Sequence, residues 1–79
     1  MTAGTVTIDL HGKNSYQARV AIDAALRRSR GVYRIRIVHG FNHGTELRDM
    51  VRREYKNAPG VIRLDTSESG ATTLVLREY

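Results

Sequence analysis

The stretch "VTIDLHG", residues 6–12, decides how the fold begins, and "IVHG", residues 37–40, repeats its ending. In the first, Val6, Ile8 and Leu10 alternate with Thr7, Asp9 and His11, the period of a strand with one buried face. Gly12 stops the alternation. In the second, Tyr33, Ile35 and Ile37 alternate with Arg34 and Arg36 before His39 and Gly40 end the run. The two His-Gly pairs stand roughly 30 residues apart, the length of one strand–helix–strand crossover. Such a crossover returns its second strand parallel to the first. Both pairs are therefore expected at one edge of one sheet.

Between them the period changes. Asn14 stands three residues before Gln17, a capping-box arrangement, and Ala18, Ala21, Ile22, Ala25 and Leu26 recur at helical spacing. Arg27, Arg28 and Arg30 load the last turn, where cations suit the helix dipole, and Gly31 supplies a stop. After "HGFNHG" a second helix is expected, capped by Thr45, with Leu47, Met50, Val51 and Tyr55 as its buried stripe and Asn57, Pro59 and Gly60 at its end. "VIRLD" and "TTLVLRE" read as two more strands joined through "TSESG", a hairpin.

The order is β-α-β-α-β-β in a single domain, 1–79, with residues 1–4 expected to fray. Two helices cannot cover both faces of a four-stranded sheet. The strands agree, because parallel strands buried on both faces are continuously apolar and these alternate. The fold class is α/β: a two-layer sandwich with a mixed four-stranded sheet and both helices on one face. Thr7, Asp9, Arg34, Arg36, Arg63, Thr73 and Arg77 then belong to the open face, which reads as basic.

Composition narrows the function. Thirteen basic residues against eight acidic give a net charge of +5, and all the basic residues but Lys13 and Lys56 are arginine. Guanidinium pairs bidentately with phosphate and stacks on flat rings, so this balance leans toward nucleic acid. The absence of cysteine excludes disulfides, thiolate metal sites and a cysteine nucleophile. No apolar run approaches the ~18 residues of a membrane span and nothing resembles a signal peptide, so a cytoplasmic location and no membrane partner are expected.

Ligands of open α/β sheets gather beyond the carboxyl ends of the strands. Asp9, His11 and Gly12 fall there from the first strand, and His39, Gly40, Phe41, Asn42, His43 and Gly44 from the second. The second helix starts there at Thr45, with unpaired N–H groups that suit an anion. A phosphodiester at this edge would meet two imidazoles and a carboxylate, a set suited to proton transfer near neutral pH. RNA carries its own nucleophile in the 2′-OH. Arg48 and Arg52, one turn apart, are placed for backbone contacts, and Phe41 for stacking on a base. Each residue also has a structural reading. His39 shares the parity of the inward Ile35 and Ile37, Asp9 suits a turn's backbone N–H groups, His43 suits solvent, and Phe41 suits a loop anchor. A divalent metal on Asp9, His11 and His39 matches in ligand type but lacks a further well-placed carboxylate, so no cofactor is expected.

"DLHG" at 9–12, "IVHG" at 37–40 with Gly44 and a helix following, and "GATTLVL" at 70–76 together resemble the small MutS-related (Smr) domain family. The resemblance runs from Thr5 to Leu76, as in a stand-alone member. It implies a fold like the carboxyl-terminal domain of bacterial translation initiation factor three. It also implies nucleic-acid binding and, in several members, endonuclease activity on RNA or by nicking structured or branched DNA. Other members bind without cutting, and the alternative expectation for this chain is such a non-catalytic module, targeted to a ribosome or repair complex. The family's first motif maps onto Asp9, Leu10, His11 and Gly12. Its second, His-Gly-x-Gly-x-Gly, falls on residues 39–44 with Asn42 in place of the middle glycine.

Overall fold

A computed structural model describes residues 4–40 and 46–78. The elements run β1 (Thr5–Asp9), α1 (Ser15–Arg27), β2 (Arg34–Val38), α2 (Glu46–Tyr55), β3 (Arg63–Asp65) and β4 (Ala71–Val75). They form one mixed sheet in the order β1-β2-β4-β3. β1 and β2 pair in parallel with Asp9 opposite Val38, while β4 pairs antiparallel to both β2 and β3.

Each helix forms for local reasons. The Asn14 side chain accepts from the Gln17 N–H at 2.8 Å and the Gln17 side chain accepts from the Asn14 N–H at 3.0 Å, closing the capping box and starting α1. α1 ends at Arg27, so only that arginine lies inside its last turn; Arg28 is the cap and Arg30 lies beyond. In α2, Glu46 and Asp49 occupy the first turn and Arg52 and Arg53 the last, each sign matched to the dipole. Thr45, expected to cap α2, lies outside the described residues.

Ile22 and Ala18 of α1 and Met50, Val51 and Tyr55 of α2 meet Ile35, Ile37 and Leu74 of the sheet in one core, closed by Leu10. The helices are also clamped to each other. Arg19 grips Glu54 through two hydrogen bonds of 2.6 and 2.7 Å, and the Tyr55 hydroxyl donates to Asp23 at 2.7 Å. No helix among the described residues is long and apolar enough to cross a membrane.

Two expectations change in the sheet. β3 is shorter than "VIRLD" suggests: Ile62 precedes it and is 56% exposed, although its N–H still donates to Val75 at 2.8 Å. The open face is also less free in charge than the alternation implies. Arg36 pairs with Glu68 and Arg63 with Glu78. Val75, opposite both Arg34 and Arg63, is fully buried on this face, as expected where long arginine stems lie over an apolar residue.

Candidate functional site

The two His-Gly turns do meet at one edge. Beyond the last paired residues, the Leu10 N–H donates to Val38 at 2.9 Å and carries the contact between β1 and β2 to the base of both turns. The first turn closes when the Lys13 N–H donates to the Leu10 carbonyl at 2.9 Å, with Gly12 at φ 75°. A positive φ at the third position is what a type II turn requires, and glycine meets it without steric cost. The Asp9 carboxylate accepts from the His11 N–H at 2.9 Å and braces the turn from inside. Gly40 mirrors Gly12 at φ 74°, and the N–H groups of His39 and Gly40 both donate to the Gly70 carbonyl, at 3.0 and 2.9 Å. The repeated His-Gly thus has a backbone cause. Each glycine turns the chain at the end of a parallel strand.

The histidines diverge at their side chains. His39 points inward, as its parity with Ile37 allows. Its Nδ1 lies 3.0 Å from the Gly40 carbonyl, and its Nε2 lies 2.9 Å from the hydroxyl of Thr72. A carbonyl only accepts, so a neutral ring carries its proton on Nδ1 and Nε2 accepts from Thr72. Thr72 is completely buried, and its hydroxyl also accepts from Arg52 Nε at 3.1 Å. The chain Arg52–Thr72–His39–Gly40 ties α2, β4 and the second turn together. His11 is exposed and makes no side-chain hydrogen bond among the described residues. It opens onto a shallow hollow of about 450 Å³ at the start of α1, beside Lys13, Tyr16 and Gln17. No hydrogen bond joins the side chains of Asp9, His11 and His39 to one another.

The remaining candidates divide. Arg48 stands in the first turn of α2, half exposed, 3.3 Å from Asp49. Phe41, Asn42, His43, Gly44 and Thr45 lie outside the described residues. Thr72 escaped the motif reading, although its parity with Leu74 and Leu76 already places it on the helix-facing side.

The family model of the Smr domain matches residues 8–77, which take in both turns, both helices and the closing hairpin. The chain belongs to the Smr domain family. Its fold is similar to the crystal structure of the Smr domain of Thermus thermophilus MutS2, at 25% identity and a TM-score of 0.81. The match covers 92% of this chain and 99% of that one. No curated protein is a significant match to the sequence. Smr domains are nucleic-acid-binding modules, and this Smr domain carries its two motif turns side by side at the strand ends.

Proposed function

We propose that this Smr domain binds nucleic acid at the carboxyl edge of its sheet and acts there as an endonuclease, cleaving RNA or nicking structured or branched DNA. The observation that carries the proposal is the exposed His11 imidazole, unengaged among the described residues, on a turn adjoining the second motif turn. On RNA, His11 takes the 2′-OH proton as the 2′ oxygen bonds to phosphorus and the bond to the 5′ oxygen breaks. The leaving oxygen then takes a proton from a second donor. Asp9 holds the backbone of His11 in place for this step. His39, with both ring nitrogens engaged, positions the Gly40 turn, and the loop of residues 40–44 with Arg48 meets the phosphate.

A second reading is binding without cleavage, as a targeting module for a ribosome or repair complex. It is favoured by the engagement of Asp9 in its own turn and of His39 with Gly40 and Thr72, which leaves fewer free proton carriers at the edge. Labelled RNA, 2′-deoxy-substituted RNA and DNA, incubated with the chain with and without chelator, separate the two. Cleavage lost in His11→Ala, with the fold intact, supports the endonuclease. Undiminished cutting by that variant removes His11 from the reaction, and binding without product under every condition establishes the second reading.

A further inference from the structure

The cations of this domain differ in what neutralises them and in where they stand. Arg36 and Arg63 on the sheet are held by Glu68 and Glu78, and Arg19 is held by Glu54 between the helices. Arg27, Arg28 and Arg30 cluster at the end of α1, which the topology puts at the far end of the sheet from the motif turns. A groove of about 710 Å³ between α2 and the edge strand β3 is lined by Arg52, Arg53, Lys56 and Arg63, with Asn57 and Ile62. No carboxylate among the described residues lines it.

Charge in this groove is poorly compensated. The Lys56 side chain has no hydrogen bond or ion pair among the described residues. Arg52 spends its Nε on a neutral hydroxyl. Arg53 is 67% exposed and lies 3.5 Å from Glu54, a carboxylate already gripped by Arg19. Arg63 is paired, but at the surface, where solvent screens such a pair and a phosphate can compete for the guanidinium. Ile62, half exposed, adds apolar surface on which a base or ribose can pack beside the arginine planes.

The groove also leads somewhere. β3 runs parallel to β2 and so heads toward the motif edge, its end at Asp65 level with Arg36, while α2 runs away from that edge from Glu46 to Tyr55. Arg52 joins the two regions, since its Thr72 partner also holds His39. We infer that the α2–β3 groove is a second nucleic-acid subsite, holding the phosphodiester backbone of the single strand that leads away from the nucleotide at the motif turns. The inference rests on the nucleic-acid reading above. A concave basic channel with apolar footing suits a flexible strand better than a rigid duplex. A ten-residue helix is roughly 15 Å long, matching about four stacked nucleotides.

Fluorescence anisotropy with the full chain tests it, using a labelled single strand of about 12 nucleotides and a duplex of equal length across a salt series. Arg53→Gln with Lys56→Gln is expected to weaken strand binding about tenfold and lower the salt slope by roughly 1.4 units, two contacts' worth for a single strand. Arg27→Gln with Arg30→Gln removes the same charge elsewhere and is expected to leave both nearly unchanged. Ile62→Glu, which puts a carboxylate into the groove from β3, tests the site from a different element and should also weaken strand binding. Equal effects of the groove and control pairs, or equal losses on strand and duplex, overturn the subsite while the binding activity itself stands. Absence of any oligonucleotide binding by the unaltered chain removes the functional reading as well.

Discussion

Nε2 of His39 meets the hydroxyl of Thr72 at 2.9 Å on the helix-facing side of the sheet, where Thr72 is completely buried. That hydroxyl is also the acceptor for Arg52. A motif histidine is therefore part of the packing of the domain, and its turn is fixed through the core.

Thr72→Val keeps the shape of the side chain but leaves a histidine nitrogen and a guanidinium N–H without their partner. The expected loss is about 1–3 kcal/mol by urea denaturation, since an orphaned polar group costs more than a hydrogen bond contributes. Thr72→Ser, which retains the hydroxyl, should lose less. A valine variant as stable as the serine variant would show that the hydroxyl bridge contributes nothing.

Gly12→Ala and Gly40→Ala should each cost about 1–2 kcal/mol, because both positions hold positive φ. Among the described residues, and leaving out the two chain neighbours, a Cβ at either would meet no atom within 4 Å, so the expected cost is backbone strain. Thermal unfolding should register roughly 4–8 °C for each kcal/mol in a domain of this size. Gly40→Asn should be milder than Gly40→Ala, since Asn tolerates the left-handed region better. The reverse order would point to side-chain contacts as the cause.

Hydrogen bonds from Arg19, Arg36 and Arg63 hold the carboxyls of Glu54, Glu68 and Glu78 below the usual carboxylate range, and Ser67 does the same for Asp65. The unfolded chain then binds more protons than the folded one below the ordinary glutamate value of 4.5. Stability from these pairs is present above that pH and declines as the pH falls further. Denaturation midpoints measured from neutral pH down to about pH 3 should fall, and Arg19→Gln should flatten part of the slope. A flat wild-type profile would mean that the pairs are too solvent-screened to matter.

Burial, reinforced by the hydrogen bond to Asp23, pushes the Tyr55 phenol well above its ordinary value of 10. An unfolded chain ionises this tyrosine first, so its contribution to stability is lost as the pH rises beyond about 10. Tyr55→Phe should remove that alkaline loss and cost about 1 kcal/mol at neutral pH. Ultraviolet titration of the folded protein checks the ionisation directly: an ionisation step centred near pH 10 that disappears in Tyr55→Phe would contradict the assignment.

Much of the scaffold could be read before any tertiary contact was known. The Asn14–Gln17 box, the Met50–Val51–Tyr55 stripe and the alternation in β1 and β2 are local patterns, set by neighbours within a turn or a pleat. The shared edge of the two His-Gly turns followed from the length of one crossover. The electrostatic surface was harder to read. Arg36 and Arg63 looked free on the sheet because Glu68 and Glu78, which neutralise them, are distant in the chain.

By itself, the sequence determined the element order, the helix starts, the faces of the strands and the glycine-ended turns. These depend on covalent geometry and on residues a few positions apart. The tertiary structure alone decided that β4 lies between β2 and β3, that His39 turns inward onto Thr72 while His11 stays in solvent, and which cations gather along one groove. The physical reason is that strand pairing and side-chain partnership join residues far apart in the chain, and they exist only once the sheet has closed around its core.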